Sequence, residues 1–144
     1  MSNIDDRSRF VRTRVAADAR NAAQTRAEFG VWLERHFSLD GDRFSDLLLA
    51  VNEAIANAAE FAYIDAAERG TVDVRAAYDV DSDTLAVSVD DRGRWRQKMP
   101  VQYQQQMRGR GIPLMEALAD GVAIDRTQQG TRVTLTWNRL TRPA

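Results

Sequence analysis

The residues best suited to chemistry lie on one predicted helix. Glu53 and Asn57 are four residues apart in the segment 47–63, which is rich in alanine and leucine and contains neither Gly nor Pro. This spacing places both side chains on the same side of a helix, with Cβ atoms roughly 6 Å apart. Carboxylate and amide oxygens suit Mg²⁺, which takes few protein ligands when phosphates are also bound.

The polar side of this helix has an unusual composition. It carries Asp46, Glu53, Asn57 and Glu60, opposite a broad apolar arc. A side that serves only solvation more often carries Lys or Arg. The uncharged Asn57 between small alanines therefore indicates a surface that another group approaches, whereas solvent contact is the expectation for Asp46 and Glu60. Taken alone, a Glu/Asn pair is also typical of a solvated helix face.

Three glycine-containing motifs follow along the chain. They are the Asp-Arg-Gly of residues 91–93, the Gly-Arg-Gly of residues 109–111 and the Gly-Thr pair at 130–131. A carboxylate at a strand end can accept a hydrogen bond from an exocyclic amine, and backbone amides at a helix start can bind phosphate. Each motif singly is more typical of a turn or a helix cap. Their common order and spacing favour a nucleotide site.

The elements that must position these motifs follow from hydrophobic periodicity. Alternation predicts strands over 8–16, 71–78, 84–91, 122–126 and 131–137, and helical spacing predicts helices over 18–37, 47–63 and 112–118. Adjacent strands without crossover helices favour an α+β two-layer sandwich, with a mixed, mostly antiparallel sheet and helices on one face. By parity Asp91 points to the core side, where a carboxylate needs a partner.

Composition narrows the class of protein. The 144 residues suit one domain, and the net charge of −1 gives no reason to expect direct binding of nucleic acid. Absence of cysteine excludes disulfides and thiolate catalysis, and the single His36 leaves little material for a zinc site or a Ser-His-Asp triad. Because no apolar run reaches about 18 residues and no signal-peptide core is present, we expect a cytoplasmic protein without membrane contact.

We expect three regions along the chain. Residues 1–7 are predicted to be a flexible N-terminus, 8–138 the domain, and 139–144 a C-terminal tail. Within the domain, residues 92–108 are polar and basic and lack periodicity. A loop of that length inside a compact domain is usually functional or disordered.

The four motifs resemble, in this order, the N, G1 and G2 boxes of the histidine-kinase-like (GHKL, Bergerat) ATPases. Within that superfamily the chain is similar to the small anti-sigma factor serine/threonine kinases of sporulation and general stress regulation, over about residues 8–138. A sensor histidine kinase normally carries a dimerising helical hairpin with its phosphoacceptor histidine. The chain leaves no room for that hairpin, and His36 is expected to be structural.

The resemblance implies roles for the matching positions. Asn57 would coordinate the Mg²⁺ that bridges the ATP phosphates, and Glu53 would be the general base for the attacking Ser or Thr hydroxyl. Asp91 would receive the adenine amino group, with Gly93 beneath the ring and Thr131 assisting through water.

The loop before the second glycine motif would be the ATP lid. Gly109 and Gly111 would cradle the phosphates. Arg108 and Arg110 are further expected phosphate contacts, on position and charge, because phosphoryl transfer depends on positioning and charge neutralisation.

Two residues depart from the family pattern. Trp95 occupies the second glycine of the usual Asp-x-Gly-x-Gly box, and Phe61 stands where many members have histidine. Trp95 could hold the lid, stack on a base, contact a partner or pack in the core. Both departures bear on ATP affinity, whereas the retained Glu53 and Asn57 imply catalytic competence.

The resemblance implies an anti-sigma factor with ATP-dependent serine/threonine kinase activity in a partner-switching system that controls transcription. Its implied partners are a sigma factor and, as substrate, a STAS-type anti-anti-sigma protein, and a homodimer through the first strand and helix is a further expectation. The alternative is a binding module that sequesters partners without phosphotransfer. A third reading is a regulatory domain cut from a larger phosphatase or sensor protein.

Overall fold

The computed structural model describes residues 5–61, 70–92 and 112–141, with the side chain of residue 61 excepted. The helices in these ranges are α1 (Ala19–His36), α2 (Gly41–Phe61) and α3 (Ile112–Leu118). The strands are β1 (Arg9–Ala16), β2 (Thr71–Asp79), β3 (Thr84–Asp91), β4 (Gly121–Thr127) and β5 (Gly130–Trp137). The strands differ from the predicted ranges by at most one residue at either end.

The five strands form one sheet in the order β1-β2-β3-β5-β4. All four strand pairs are antiparallel, in agreement with the predicted mostly antiparallel sheet. The described strands include no parallel pair, so the sheet they form is not mixed. β5 lies between β3 and β4, so the last strand of the sequence occupies an inner position in the sheet. The predicted α+β fold class is confirmed.

The central helix α2 begins six residues before the predicted start. Its first residue is Gly41, and the side chain of Asp40 accepts a hydrogen bond from the backbone N–H of Arg43 at 2.8 Å. An N-terminal cap of this kind satisfies a free backbone donor and offsets the low helix propensity of glycine. Residues 41 to 46, which lie before the predicted helix, therefore belong to its first turns.

The core lies between the sheet and the helices. Alternate residues of β2, β3 and β5 are buried, as their alternation predicts, and α2 packs against all three strands. The side chains that meet across this interface include Val74, Val87, Val89, Leu135, Leu47, Val51 and Ile55. Because the inner row of β3 ends in Asp91, this packing also brings a carboxylate to the inward side of the sheet.

An aromatic cluster fixes α1 against β1. Phe10, Phe29, Trp32 and Phe37 have neighbouring ring centroids 5.4 to 5.8 Å apart, a range in which aromatic pairs attract. The indole N–H of Trp32 donates to the backbone carbonyl of Asp6 at 2.7 Å. The cluster thereby ties residues 5–10 to the helical layer.

The C-terminal residues close the far end of the sheet. Asp83, in the turn between β2 and β3, accepts hydrogen bonds from the Tyr78 hydroxyl at 2.6 Å and from the Thr141 hydroxyl at 3.0 Å. Arg43 donates to the backbone carbonyls of Asn138 and Leu140, which attaches the start of α2 to the same turn. Burial, and the hydrogen bond to Asp83, raise the pKa of Tyr78 above its usual value.

Within residues 5–61, 70–92 and 112–141, no helix combines the length and the apolar character needed to cross a membrane.

Candidate functional site

Two strand ends and one helix carry the predicted site residues that the structure describes. Asp91 is the last residue of β3 and lies opposite Thr131, the second residue of β5. Asn57 lies in the last two turns of α2, the helix that packs on β2, β3 and β5. Antiparallel pairing of β3 with β5 brings together residues that are forty positions apart in the sequence. Asp91 and Thr131, predicted to act on the same ring, are therefore adjacent.

Asp91 is buried, with 5% of its surface exposed. One carboxylate oxygen accepts a hydrogen bond from the backbone N–H of Thr131 at 3.4 Å, and Thr131 itself is 6% exposed. The parity argument from the sequence predicted this inward orientation. A carboxylate held inside a strand end can accept further hydrogen bonds from a ligand that enters there.

Gly130 brings β5 unusually close to the end of β3. Its φ of +144° lies in the region that L side chains rarely adopt, and a Cβ added there would lie 1.9 Å from the carbonyl oxygen of Asp91. The same atom would lie 2.7 Å from the Cα of Arg92. Only glycine fits both the backbone conformation and the space. Gly130 therefore fixes the position of the backbone that carries Asp91.

A cavity of about 300 Å³ opens at this end of the sheet. It is lined by Thr71, Asp73, Asp90, Asp91, Arg92, Asp125, Thr127, Gln129, Gly130, Thr131 and Arg132. Several of these residues belong to the outer side of the sheet, and neither Glu53 nor Asn57 is among them. The cavity thus lies at the ends of β2, β3, β4 and β5, whereas α2 packs against the inner side of the sheet.

Asp90 and Arg132, which both line this cavity, form an ion pair. Two hydrogen bonds join the Arg132 guanidinium to both carboxylate oxygens of Asp90, at 2.8 and 3.0 Å. They raise the pKa of Arg132, which stays protonated in any case. The pair joins β3 to β5 at the position next to Asp91 and Thr131, on the opposite side of the sheet. It therefore supports the register on which the site depends.

Asn57 is a buried amide with an unused donor. Only 8% of its surface is exposed, and its Nδ2 has no hydrogen-bond partner in the structure. Leaving a buried donor unsatisfied costs about 1–3 kcal/mol, and most buried polar groups are paired. Retention of this amide in an otherwise apolar helix layer fits a group that receives a ligand. The residues present thus fit the nucleotide that the sequence predicts.

Glu53 lies one turn before Asn57 and is half-buried. Within the described ranges, no group of three or more His, Cys, Asp or Glu side chains is arranged to hold a metal ion. A divalent cation held by Asn57 would take phosphate and water oxygens among its other ligands. Mg²⁺ is commonly held in proteins in this way.

The remaining predicted site residues lie outside the described part of the chain. These are Gly93, Arg108, Gly109, Arg110 and Gly111, together with Trp95. Phe61 ends α2, but its side chain is likewise not described. The lid and the phosphate cradle stay predictions.

Sequence reasoning missed two contributors to the site. Gly130 was recognised only as part of a motif, and its contact with the Asp91 backbone depends on the register between β3 and β5. The Asp90–Arg132 pair was not recognised either. Alternation places both residues on the side opposite Asp91 and Thr131, so an ion pair could have been inferred once the two strands were assumed to be neighbours.

Comparison with known proteins agrees with these observations. A family model described as a histidine kinase-like ATPase domain matches residues 15–137, which is most of the chain. The chain belongs to this family. The family assignment made from the four sequence motifs is confirmed, and with it the expectation of an ATP-binding domain.

One similar solved structure contains the RsbU and RsbW domains of Rv1364c from Mycobacterium tuberculosis. It shares 30% sequence identity with a TM-score of 0.71, and the match covers 94% of this chain and 33% of that chain. The chain therefore spans about a third of the protein that it matches. The similarity to a structure that contains an RsbW domain agrees with the branch that the sequence resembles.

Two further similar structures come from Erythrobacter litoralis EL346. They are the histidine kinase domain of its blue-light activated histidine kinase, at 20% identity and a TM-score of 0.56, and that kinase itself, at 19% and 0.58. The matches cover 84% and 89% of this chain, and 60% and 42% of the other chains. At this level of identity the likeness supports the fold alone.

Proposed function

We propose that this domain is an ATP-dependent serine/threonine protein kinase that acts as an anti-sigma factor. The observation that carries the proposal is the buried side-chain amide of Asn57, whose Nδ2 has no hydrogen-bond partner, one turn after the half-buried carboxylate of Glu53. The Asn57 amide is suited to bind the phosphate end of a nucleotide, and the Glu53 carboxylate is suited to accept a proton. Their combination on one helix of an ATPase-family domain favours phosphotransfer over nucleotide binding alone.

The strand ends are proposed to hold the base of the nucleotide. The buried carboxylate of Asp91 would accept a hydrogen bond from the exocyclic amine of adenine, and Thr131 would support it from the neighbouring strand. Gly130 maintains the backbone geometry of Asp91 by its close approach. Specificity for adenine would follow, because a ring that presents a carbonyl at this position would place two acceptors together.

The helix is proposed to serve the phosphates and the acceptor. ATP would supply the γ-phosphoryl group, whose bond to the β–γ bridging oxygen breaks as a bond to the acceptor hydroxyl oxygen forms, leaving ADP, while Mg²⁺ neutralises phosphate charge. Asn57 would hold the metal through its amide oxygen. Glu53 would take the proton of the Ser or Thr hydroxyl and orient that oxygen.

The proposed partners follow from the RsbW-containing neighbour and from the sequence resemblance. The domain would bind a sigma factor and withhold it from RNA polymerase. It would phosphorylate a STAS-type anti-anti-sigma protein on Ser or Thr, which ends the capture of the kinase by that protein. We propose that this exchange takes place in the cytoplasm and that the kinase is a homodimer.

A phosphotransfer assay tests the kinase. Purified protein, Mg-ATP and each STAS protein of the same genome are incubated, and phosphoprotein is followed with time. We expect phosphorylation of one STAS protein, and a loss of about 10²–10⁴-fold in rate for Glu53→Gln, because a general base contributes that much. The matched control is Glu60→Gln, an exposed glutamate on the same helix, which should keep the wild-type rate.

Two results would contradict the proposal. One is the absence of phosphoprotein with every STAS protein. The other is an equal rate for wild type and Glu53→Gln. If ATP and a STAS protein bind but no phosphoryl group is transferred, the domain is a binding module that holds partners without catalysis.

A further inference from the structure

Gly130 permits the backbone geometry at the end of β3 but does not by itself maintain it. Its φ is +144°, and glycine adopts positive and negative φ about equally well. The space beside it is narrow, since an added Cβ would lie 1.9 Å from the carbonyl oxygen of Asp91. A rotation of the Gly130 backbone would therefore change its contact with the Asp91 backbone. Contacts with other residues are needed to select this one conformation.

The turn that precedes Gly130 has no strong conformational preference of its own. Gln128 and Gln129 join β4 to β5 as a two-residue turn. The favoured hairpin turns of this length need a positive φ, which Gly and Asn tolerate best. Neither Gln128 nor Gln129 has a positive φ. The path of the chain into Gly130 is therefore left to contacts with neighbouring residues.

The side chain of Thr127 braces this turn through two hydrogen bonds. Thr127 is the last residue of β4 and lies opposite Gly130. Its hydroxyl donates to the carbonyl oxygen of Gly130 at 3.2 Å and accepts from the backbone N–H of Gln129 at 3.1 Å. A hydroxyl carries one proton and two lone pairs, so it makes both bonds at once. Gly130 is thereby held from β4 on one side, while it contacts β3 on the other.

The position of the turn also affects a hydrogen bond to the Asp91 carboxylate. Thr131 directly follows Gly130, and its backbone N–H donates to Asp91 at 3.4 Å. This distance is longer than the usual N–H···O range of about 2.7–3.2 Å, so a small displacement of the turn is enough to break the bond. The orientation of the Asp91 carboxylate thus depends on where the turn holds Gly130 and Thr131.

We propose that Thr127 is a positioning residue for recognition of the adenine base. Its hydroxyl fixes the conformation of Gly130, and the segment that follows fixes the Asp91 carboxylate, which accepts from the exocyclic amine. This inference rests on the proposed function and adds a residue that lies outside the four sequence motifs. Thr127 also lines the cavity, so the test must separate positioning from a direct contact with the nucleotide.

Calorimetric titration with Mg-ATP tests the role of the Thr127 hydroxyl. Thr127→Val keeps the shape of the side chain and removes the hydroxyl. We expect ATP affinity to fall about three- to tenfold, the size of effect that loss of a hydrogen bond produces. Thr127→Ser retains the hydroxyl and should restore the affinity. In the phosphotransfer assay Thr127→Val should raise KM for ATP and leave kcat at saturating ATP unchanged, because the turn positions the base and not the phosphates.

Thr84→Val is the matched control. The Thr84 hydroxyl donates to the backbone carbonyl of Ser82 at 3.3 Å, in the turn at the other end of β3. The substitution removes the same kind of hydrogen bond from the same kind of residue, far from Asp91 along the strand. Its ATP affinity should equal that of wild type.

A double-mutant cycle with Asp91→Asn separates positioning from direct contact. If Thr127 acts through Asp91, adding Thr127→Val to Asp91→Asn causes no further loss of ATP affinity, because the two effects are coupled. A side chain that touches the nucleotide itself would cause the same loss in both backgrounds. Urea denaturation of each variant confirms that the compared proteins are folded, and Thr127→Ala replaces Thr127→Val if the latter does not fold.

The outcomes distinguish this proposal from the proposed function. Wild-type affinity in Thr127→Val, no recovery in Thr127→Ser, or an equal loss in the Asp91→Asn background overturns the positioning role and leaves the nucleotide site standing. Normal ATP binding by Asp91→Asn overturns the proposed base site, and the role of Thr127 with it. Because the titration does not depend on phosphotransfer, it tests the positioning role even if the domain binds nucleotide without catalysis.

Discussion

Two buried aspartates lie at opposite ends of β3 in different surroundings. Asp83 precedes the strand and is 3% exposed, whereas Asp91 ends it and is 5% exposed. Both would be costly to bury without partners. Their degree of burial is nearly equal, so burial alone does not distinguish a structural carboxylate from a ligand-binding one.

What surrounds the two carboxylates does distinguish them. Asp83 accepts hydrogen bonds from the hydroxyls of Tyr78 and Thr141 and from the backbone N–H of Thr141, all at 3.2 Å or less. The chain itself closes over this carboxylate. Asp91 borders a cavity of about 300 Å³, with the N–H of Thr131 at 3.4 Å. The closed end of the sheet stabilises the fold, and we propose that the end with the cavity receives the nucleotide.

We expect the largest effect from Gly130→Ala, which disturbs the backbone at the end of β3 that carries Asp91. Gly130→Ala places a Cβ 1.9 Å from the Asp91 carbonyl oxygen at a φ of +144°. We expect the free energy of unfolding to fall by about 3 kcal/mol or more, with loss of nucleotide binding. Urea denaturation measures the first and titration with a fluorescent ATP analogue the second.

Gly41→Ala is the control for this substitution. Nothing lies within 4 Å of the added Cβ at the start of α2. Its free energy of unfolding should change by no more than about 1 kcal/mol, in the stabilising direction if at all. Equal losses in the two variants would contradict the special role of Gly130.

Replacing each aspartate by asparagine distinguishes the role of Asp83 from that of Asp91. In Asp83→Asn an amide N–H₂ must face the Thr141 N–H or the Tyr78 hydroxyl, so we expect a loss of about 1–3 kcal/mol in unfolding free energy. ATP affinity of the folded variant should stay normal. Asp91→Asn should show the reverse, with ATP affinity lowered about tenfold or more and a smaller change in stability. The same pattern in both variants would refute the distinction.

Asn57→Ala should lose Mg-ATP binding without loss of stability. The substitution removes an unsatisfied buried donor and introduces the residue with the highest helix propensity. We expect the free energy of unfolding to stay within about 1 kcal/mol of wild type, and any change to be an increase. Thermal unfolding with and without Mg-ATP measures both properties, since a ligand stabilises only the protein that binds it. Normal nucleotide binding would show that Asn57 is only part of the core.

The smallest expected effect concerns pH at the closed end. The raised pKa of Tyr78 means that folding favours the neutral phenol, so its contribution is complete below the ordinary tyrosine value of about 10. That contribution is lost as the pH rises through the higher pKa of the folded protein. Tyr78→Phe should cost about 1 kcal/mol at pH 7, and the difference from wild type should shrink above pH 10. Unfolding free energies from pH 7 to 11 measure this, and a constant difference would contradict it.

Much of the fold could be predicted because its signals are local. The alternation in β3 gave its bounds, and the inward parity of Asp91 followed from the same pattern. The start of α2 was wrong by six residues because the helix begins with a glycine that sequence rules associate with turns. The hydrogen bond from the Arg43 backbone N–H to the Asp40 side chain stabilises a helix start at Gly41. The free energy of such a cap is similar in size to the helix-propensity cost of glycine, so the sequence alone does not show which of the two prevails.

The sequence by itself determined the family and the order of the elements, because these depend on periodicity and on motif order within one chain. It also named Glu53, Asn57, Asp91 and Thr131 as candidate site residues, which stay predictions. Only the tertiary structure decided which residues meet. The register between β3 and β5 places Gly130 against the Asp91 backbone, and the packing of α2 leaves the Nδ2 of Asn57 buried without a hydrogen-bond partner. These features depend on contacts between distant segments, whose geometry is set by the packing of the whole core rather than by any local pattern.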